Sequence, residues 1–273
     1  MSDATAPIAA LRVPVVGSPE APYRGIEPFR VVDAPIFFER ARESERLLRM
    51  ITIYRGVLLY GESGAGKSSL VNAGFIPRCL AEGWIPERLR VQPRPGAEIV
   101  LERISRGGDG PPFLPSLLAR DGEEAAREVL SAAELVERVH ALSAAPGGDG
   151  AHETDGGFGM ERPPHPVLVF EQFEEFVTLF QEAPAAEARE ARDALLEALT
   201  ELLRHEQAAV KLLFVFREDY LARLSPLFAR SPNLPDQYLR LAPLPVSAVR
   251  EVVRGPFEKV KGLFPRELSP ELA

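Results

Sequence analysis

The stretch that most constrains the fold is residues 61–69, "GESGAGKSS", which directly follows the apolar run "GVLLY". It fits the pattern Gly-x-x-x-x-Gly-Lys-Ser, whose glycines let successive backbone N–H groups point inward at bound phosphates. A helix that begins near Lys67 adds the positive end of its dipole at the same place. The stretch therefore predicts a phosphate-binding loop between a buried strand and a helix.

The residues of this loop are expected to contact a nucleotide, and two side chains have defined roles. The Lys67 ammonium is expected to reach the β- and γ-phosphates, and the Ser68 hydroxyl to bind Mg²⁺. The Ser69 hydroxyl is expected near the α-phosphate. The predicted nucleotide-binding residues of the loop are Gly61, Glu62, Ser63, Gly64, Ala65, Gly66, Lys67, Ser68 and Ser69.

An acidic cluster follows a second apolar run, "VLVF" at residues 167–170. Glu171, Glu174 and Glu175 stand just past this predicted strand, and ligands gather at the carboxyl ends of strands in parallel sheets. We expect Glu171 to contact the Mg²⁺ shell through water, and either Glu174 or Glu175 to polarise an attacking water. The alternative interpretation is an ordinary helix start, because the helix dipole favours acidic residues there.

Arg217 follows a third apolar run, "VKLLFVF" at residues 210–216, and opens the segment "REDY". Because parallel strands end at the same edge of a sheet, we expect Arg217 at the same rim as the acidic cluster. In that place its guanidinium is expected to sense the γ-phosphate. The alternative role for this arginine is an ion pair on the surface.

The order of these segments predicts an α/β fold with a mostly parallel sheet covered by helices on both faces. Residues 185–205 predict an amphipathic helix, and residues 97–145 are expected to be mostly helical. Asp33, with Pro35 just behind it, predicts the start of an earlier helix. The predicted strands are "GVLLY", "LRVQPRPG", "VLVF" and "VKLLFVF".

Composition disfavours several classes of protein. The formal net charge is −8, so a general nucleic-acid-binding surface is not indicated. The single cysteine, Cys79, excludes an internal disulfide framework, is expected to be buried and suits the reducing cytoplasm. No apolar run approaches the roughly 20 residues that span a bilayer, and the histidines lack metal-ligand spacing.

Four stretches together resemble the novel STAND NTPases, the signal-transduction ATPases with numerous domains that are related to NACHT, NB-ARC and AAA+ ATPases. The second stretch extends the match well past the generic phosphate loop, since "SSLVNAGFIP" follows it. The four are "PYRGIEPFRVVDAPIFFERARESERLL", "GESGAGKSSLVNAGFIPRCL", "VLVFEQFEEFVTLF" and "FVFREDYLARL" with the later "VRGPF".

The resemblance implies a three-layer P-loop NTPase sandwich followed by a small helical lid. It also implies a molecular switch in bacterial signalling or defence: ADP holds a closed form, and exchange for ATP permits self-assembly. By this similarity Arg217 is a sensor arginine, Pro256 contacts adenine from the lid, and the entry segment around Phe29 flanks the base. A helix-breaking Gly-Pro is the alternative interpretation of Pro256.

Two positions depart from the family pattern. Glu171 stands where the family normally has aspartate, and the added methylene lengthens the reach to Mg²⁺, so slow hydrolysis is expected. Glu39 stands where the family usually has glycine, which alters the expected contact with the base of the nucleotide.

The resemblance also implies a division of the chain. Effector and sensor domains of the family are expected to be absent, and "LSPELA", with Ser269 as a helix N-cap, suggests truncation within a further helix. The expected parts are residues 1–21 as a flexible leader, 22–54 as the entry segment and helix, 55–242 as the core with a mobile Gly/Pro-rich loop at 146–166, and 243–273 as the start of the lid.

Two other functions stay open from the sequence. One is a kinase that transfers the γ-phosphoryl group of ATP to a small acceptor, although the loop at 146–166 contains only Arg162 and does not resemble an arginine-bearing kinase lid. The other is a module that binds the nucleotide without hydrolysing it. GTPases and ABC ATPases are disfavoured, because no N-K-x-D or LSGGQ-like motif occurs.

Overall fold

A seven-stranded sheet runs through the residues that the computed structural model describes, which are 19–91, 99–104, 117–118, 127–144, 165–177, 185–204, 210–258 and 260. Its strands are β1 (Gly56–Gly61), β2 (Trp84–Val91), β3 (Ile99–Glu102), β4 (Arg127–Leu130), β5 (His165–Glu171), β6 (Lys211–Arg217) and β7 (Tyr238–Arg240). Their order across the sheet is β4-β3-β2-β5-β6-β1-β7.

The sheet is mostly parallel, as the sequence predicts. Strands β2, β5, β6, β1 and β7 pair in parallel, whereas β3 pairs antiparallel with both β2 and β4. In the parallel part Gly61 lies opposite Arg217, and Arg90 lies opposite Glu171. The carboxyl ends of β1, β5 and β6 therefore meet at one edge of the sheet.

The helical expectation for residues 97–145 is wrong in part, because β3 and β4 lie within this range. Each has only four residues, which is too short for the period-two alternation that reveals a strand in sequence. Pairing with β2 and with each other places these segments in the sheet, so tertiary context overrides local helix propensity. Strand β7, with three residues, escapes sequence analysis for the same reason.

Helices cover both faces of the sheet. They are α1 (Ala41–Ile53), α2 (Lys67–Ser69), α3 (Ile76–Ala81), α4 (Ala132–Ala144), α5 (Ala185–Arg204), α6 (Ser225–Arg230) and α7 (Val246–Glu258). A π-helical turn, Leu70–Phe75, joins α2 to α3, so residues 67–81 follow one helical path; 3₁₀ turns span Val31–Ile36, Glu218–Leu224 and Leu234–Asp236.

The core forms two layers, one on each face of the sheet, because alternate strand residues point to opposite faces. One layer packs Leu168 and Phe170 of β5 against α4 and α5, through Leu135, Val139, Leu195 and Leu199. The other packs Val167 and Val169 of β5 against α1 and residues 67–81, through Leu47, Ile51, Leu70, Phe75 and the buried Cys79. The predicted three-layer α/β/α arrangement is confirmed.

The helix expected to start at Asp33 begins instead at Ala41. Asp33 lies in the 3₁₀ turn Val31–Ile36, is fully buried, and accepts a hydrogen bond from the backbone N–H of Arg30 at 2.8 Å. The chain cannot continue from this turn into α1 as one helix because Glu39 has φ +63°, in the left-handed region that ends a right-handed helix.

Several expectations lie outside the described residues. They concern the leader up to residue 18, the Gly/Pro-rich loop up to residue 164 and the chain from residue 261 onwards, including Ser269. None of the helices in the described ranges combines the length and hydrophobicity that a bilayer crossing requires.

Candidate functional site

The glycine-rich loop joins the end of β1 to the start of α2. Gly64 has φ +80° and Gly66 has φ +91°, which is left-handed backbone that glycine adopts without strain. A Cβ at either position would meet no atom within 4 Å. The two glycines are therefore required by the path of the backbone, which curls immediately before the first turn of α2, and not by a lack of space.

Glycine is required at position 61 for a different reason, which is lack of space for a side chain. A Cβ on this residue would collide with the carbonyl oxygen of Leu241, whose own N–H donates a hydrogen bond of 2.7 Å to the carbonyl of Tyr60. The chain that follows β7 thus runs tightly along the end of β1. Only glycine permits this close approach.

The Lys67 side chain folds back over the loop. Its Nζ donates hydrogen bonds to the carbonyl oxygens of Gly61 at 3.0 Å and Glu62 at 2.8 Å. Burial lowers the pKa of Lys67, and the negative charge of Glu174 partly opposes that shift. A half-buried ammonium that donates to two neutral carbonyls is well prepared for an anionic ligand, because charged acceptors form stronger hydrogen bonds.

The entry segment, residues 22–29, is attached to the helix that follows the loop. The N–H of Phe29 donates to Oγ of Ser69 at 3.1 Å, and Nδ2 of Asn72 donates to the carbonyl of Phe29 at 2.9 Å. The Phe29 ring also packs against Phe37, with ring centroids 5.5 Å apart. Ser69, expected beside a phosphate, therefore has an acceptor role toward the backbone and keeps its hydroxyl proton for another partner.

Glu171 is the last residue of β5, and its side chain is only 8% exposed. Its Oε2 lies 3.1 Å from Nη2 of Arg88 on the neighbouring strand β2. Its Oε1 is buried and has no hydrogen-bond partner within the described ranges. A carboxylate oxygen in this situation is available to an additional ligand, since buried polar atoms are normally satisfied.

The two candidate bases have different surroundings. Glu175 pairs with Arg90, whose Nη2 lies 2.6 Å from Oε1 of the carboxylate. Glu174 has a buried Oε2 with no hydrogen-bond partner among the residues described. Burial raises the pKa of Glu174, while its own backbone N–H, the charge of Lys67 and the N–H of Arg217 act in the opposite direction.

The turn between β5 and these acids is held in a specific shape. Gln172 has φ +51°, a left-handed conformation that costs a non-glycine residue about 1–2 kcal/mol. The next residue, Phe173, is fully buried and donates its N–H to the carbonyl of Val215 on β6 at 2.9 Å. The turn is thereby fixed against β6, directly beside Arg217.

Arg217 ends β6 opposite Gly61, at the rim where the sequence places it. Its guanidinium pairs with Asp219, at 2.7 Å between Nη2 and Oδ2, and lies 5.7 Å from the ring centre of Tyr220. The side chain is 43% exposed. Arg217 therefore forms the surface ion pair that the sequence leaves as an alternative, and its backbone lies opposite Gly61, where the loop begins.

Pro256 lies within α7, and the helix continues through it to Glu258. The preceding Gly255 packs against the ring of Phe38 so closely that a Cβ would approach the ring to 2.7 Å. On the same helix the carbonyl of Val253 accepts a hydrogen bond of 2.6 Å from the Tyr23 hydroxyl. The structure thus places α7 against the entry segment, whereas Lys67, Glu174 and Arg217 meet at the strand ends.

Three arginines that contact the loop or the acidic cluster were not indicated by the sequence. Arg40, 5% exposed, donates to the carbonyls of Ala65 and Ala242, and Arg88 and Arg90 pair with the acidic cluster. The sequence pattern that could have indicated Arg88 and Arg90 is "RLR", because alternate residues of a strand lie on the same face of the sheet. Nothing in "FFERARE" distinguishes Arg40 from Arg42.

The residues at the strand ends suit Mg²⁺. In the part of the chain that the structure describes, no three His, Cys, Asp or Glu side chains form a cluster that holds a metal by themselves. Magnesium needs no such cluster, because it is commonly bound by one or two protein oxygens together with phosphates and waters. The Ser68 hydroxyl and the unpartnered Oε1 of Glu171 are hard oxygen donors, the type that Mg²⁺ prefers.

A mostly parallel α/β sheet with a glycine-rich loop between its first strand and the following helix defines the P-loop NTPase class. The chain belongs to the novel STAND NTPase 1 family, whose model matches residues 22–273. No curated protein matches the sequence.

Three solved structures illustrate the similarity of this chain to proteins of known structure. The Walker-type ATPase PABY2304 of Pyrococcus abyssi is 13% identical, with a TM-score of 0.43 over 90% of this chain and 64% of that one. A chain of the HORMA–CdnC–Trip13 complex of E. coli MS115-1 is 11% identical, with a TM-score of 0.38 over 82% and 70%. A chain of the Clp1p–Pcf11p complex is 11% identical, with a TM-score of 0.37 over 78% and 52%.

Proposed function

We propose that the chain is the nucleotide-binding core of a STAND-type ATPase switch for signal transduction. In this proposal ADP keeps a closed form, and exchange for ATP permits self-assembly in bacterial signalling or defence. The observation that carries the proposal is the connection from the phosphate loop to α7. The entry segment bonds to Ser69 through Phe29 at one end and to Val253 through Tyr23 at the other.

Residues of the loop and of the strand ends would together bind the phosphates and the Mg²⁺. The loop N–H groups and Lys67 would bind the phosphate oxygens, and Ser68 and Glu171 would hold Mg²⁺. When bound, Mg²⁺ would neutralise charge on the phosphate oxygens. Arg217, at the rim opposite Gly61, would lie within reach of a γ-phosphate once it exchanges Asp219 for that ligand.

The surroundings of the two candidate bases favour Glu174 over Glu175. Glu175 is paired with Arg90 at 2.6 Å, so this ion pair holds one of its carboxylate oxygens away from an attacking water. Burial raises the pKa of Glu174, which is the direction expected of a group that accepts a proton from water. We propose slow turnover, since Glu171 is longer than aspartate and Arg217 is engaged by Asp219.

Two residues are proposed to contact the adenine ring of the nucleotide, one from the entry segment and one from the lid. Phe29 would flank adenine from the entry segment, and Pro256 would contact it from α7, with residues 243–273 as the start of the helical lid. Both positions belong to the entry segment and the helix that packs on it. Effector and sensor domains would be supplied by other parts of a larger protein. The buried free thiol of Cys79 suits a reducing cytoplasm.

The test is to purify the chain, denature it and identify the nucleotide that is released. We expect ADP in the wild type and none in Lys67→Ala. Lys211→Ala is a matched control, because Nζ of Lys211 also donates to two carbonyls, those of Thr52 and Tyr54 at 3.1 Å each, and burial lowers its pKa too. Lys211 lies at the opposite end of β6, so this variant should retain ADP.

Two outcomes would contradict the proposal. Retention of ADP by Lys67→Ala would remove the assigned role of the loop. Rapid phosphoryl transfer that depends on a small acceptor would identify a kinase, whereas a switch consumes ATP slowly without an acceptor.

A further inference from the structure

A row of alternating charges crosses four neighbouring strands and ends at Glu171. Nη2 of Arg88 on β2 lies 3.1 Å from Oε2 of Glu171 on β5 and 3.5 Å from Oε2 of Glu102 on β3. Nη2 of Arg127 on β4 lies 3.3 Å from Oε1 of the same Glu102. We call Glu171, Arg88, Glu102 and Arg127 the charge row.

The register of the sheet accounts for this row. Glu102 lies directly opposite Arg88 on one side and Arg127 on the other. Glu171 lies opposite Arg90, two residues further along β2 than Arg88. Side chains two residues apart on a strand share a face, and diagonal neighbours across strands are within reach of long side chains. Arg88 therefore connects carboxylates on both of its neighbouring strands.

The exposed end of the charge row is Arg127 on β4, and its buried end is Glu171 on β5. The Arg127 side chain is 63% exposed, whereas that of Arg88 is 25% and that of Glu171 is 8% exposed. A carboxylate at this depth is costly without a paired charge. Arg88 supplies the partner, and it contacts only one of the two oxygens, because Oε1 of Glu171 has no hydrogen-bond partner in the described ranges.

We propose that Arg88 is a positioning residue for the magnesium site, holding Glu171 by Oε2 so that Oε1 faces a bound Mg²⁺ or its water. This inference rests on the proposed function, in which Glu171 contributes to that site. Arg88 acts through Glu171 and does not compete with the metal, since the ion pair and the metal use different oxygens. It also compensates for the longer glutamate side chain, because a group held at one end has fewer rotamers to lose on binding.

Arg90 provides a matched control on the same strand and the same face. Its side chain is 29% exposed, against 25% for Arg88. Its partner, however, is Glu175, at 2.6 Å, and not Glu171. Removing Arg90 therefore removes a similar ion pair beside the site without releasing Glu171.

The experiment measures the affinity of a fluorescent ATP analogue, first in EDTA and then across a range of Mg²⁺ concentrations. We expect Arg88→Gln to raise the Mg²⁺ concentration for half-maximal tightening by about 10-fold, the lower end of typical losses from removing a partner of a metal ligand. Affinity in EDTA should change by no more than about twofold, since the partners of Arg88 lie on strands and not on the phosphate loop. Arg90→Gln should change neither quantity.

Two further variants keep the test informative if Arg88→Gln is poorly folded: the single variant Arg88→Lys, and Arg88→Gln combined with Glu171→Gln. Arg88→Lys keeps the charge and should shift the Mg²⁺ requirement less than Arg88→Gln does. In a Glu171→Gln background, Arg88→Gln should produce no further shift, because the coupling between the two residues is already lost. An additive shift in that background, or a Mg²⁺ requirement that is unchanged or lowered in Arg88→Gln, would overturn the inference. Failure of the wild type to bind the analogue in either buffer would instead contradict the proposed function.

Discussion

The guanidinium of Arg40 donates a hydrogen bond of 3.0 Å to the carbonyl oxygen of Ala65, inside the phosphate loop. A second hydrogen bond, of 2.8 Å, goes from the same Nη2 to the carbonyl of Ala242, in the segment between β7 and α7. Arg40 is almost fully buried and also pairs with Glu43 at 3.0 Å. One side chain thus joins the loop to the chain that leads into α7.

Replacing Arg40 with alanine should destabilise the fold. The buried carbonyl of Ala65 and the part-buried carbonyl of Ala242 would lose their donor, and an unsatisfied buried group costs about 1–3 kcal/mol. We expect Arg40→Ala to lower the free energy of unfolding by about 3 kcal/mol and to weaken ADP retention, measured by urea unfolding and by nucleotide release. Arg42→Ala is the control, because Arg42 is exposed in the first turn of α1, two residues after Arg40, and its replacement should change stability by less than about 0.5 kcal/mol. Equal effects of the two substitutions would disprove the role of Arg40.

Glu39 is the second position in this region with a testable consequence. It is exposed and has φ +63°, so glycine, the residue usual in the family, would relieve left-handed strain. We expect Glu39→Gly to raise the free energy of unfolding by about 0.5–1 kcal/mol, the strain relieved minus the entropic cost of glycine. Glu39→Ala should leave it near the wild-type value, because alanine has the same Cβ. A loss of stability in Glu39→Gly would show that the glutamate side chain stabilises this turn.

The long buried strands were predictable from the sequence, whereas the short strands, which depend on pairing with a neighbour, were not. Strands β1, β5 and β6 are continuous apolar runs buried on both faces, so composition alone reveals them. Strand β3 is recognisable only through its pairing with β2, as in the contact of Arg88 with Glu102. Such pairing joins residues distant in sequence, and a local pattern contains no information about it.

In the candidate site, too, the features set by a local pattern were predictable and those set by contacts between strands were not. The glycine pattern predicts a loop between a strand and a helix, and Gly64 and Gly66 do take left-handed backbone there. The alternatives of Glu174 and Glu175 as base stayed open in sequence because the two are adjacent and chemically identical. What distinguishes them is Arg90 on another strand, a contact that depends on the order of strands in the sheet.

Glu174→Gln should reduce turnover far more than Glu175→Gln. Loss of a general base typically costs 10²–10⁴-fold, and we expect about 10²-fold here because we propose slow hydrolysis by the wild type. Glu175→Gln should cost less than about tenfold, since its carboxylate is engaged by Arg90. ATP hydrolysis measured as released phosphate, with nucleotide affinity as the control, would check this. The reverse order of effects would assign the base to Glu175.

The raised pKa of Glu174 also predicts how stability depends on pH. Burial favours the neutral carboxyl in the fold, so the folded state binds a proton more readily than the unfolded chain does. Stability from this group is therefore present below its ordinary value of 4.5 and is lost as the pH rises through the higher folded value. Glu174→Gln should remove this dependence, and its melting temperature relative to wild type should be higher at pH 8 than at pH 4. A difference between the two proteins that does not change with pH would contradict the assignment.

The packing of Gly255 on Phe38 tests whether α7 is coupled to the nucleotide. A Cβ at Gly255 would approach the Phe38 ring to 2.7 Å, and overpacking of this kind typically costs about 1–3 kcal/mol. If the closed form requires α7 to pack on Phe38 and the entry segment, Gly255→Ala should speed ADP dissociation by about tenfold, the change that 1.4 kcal/mol produces. Val249→Ala, at a 51% exposed position of the same helix, should leave the rate unchanged. Stopped-flow release of a fluorescent ADP analogue measures both, and equal rates in Gly255→Ala and wild type would show that α7 packing and nucleotide binding are independent.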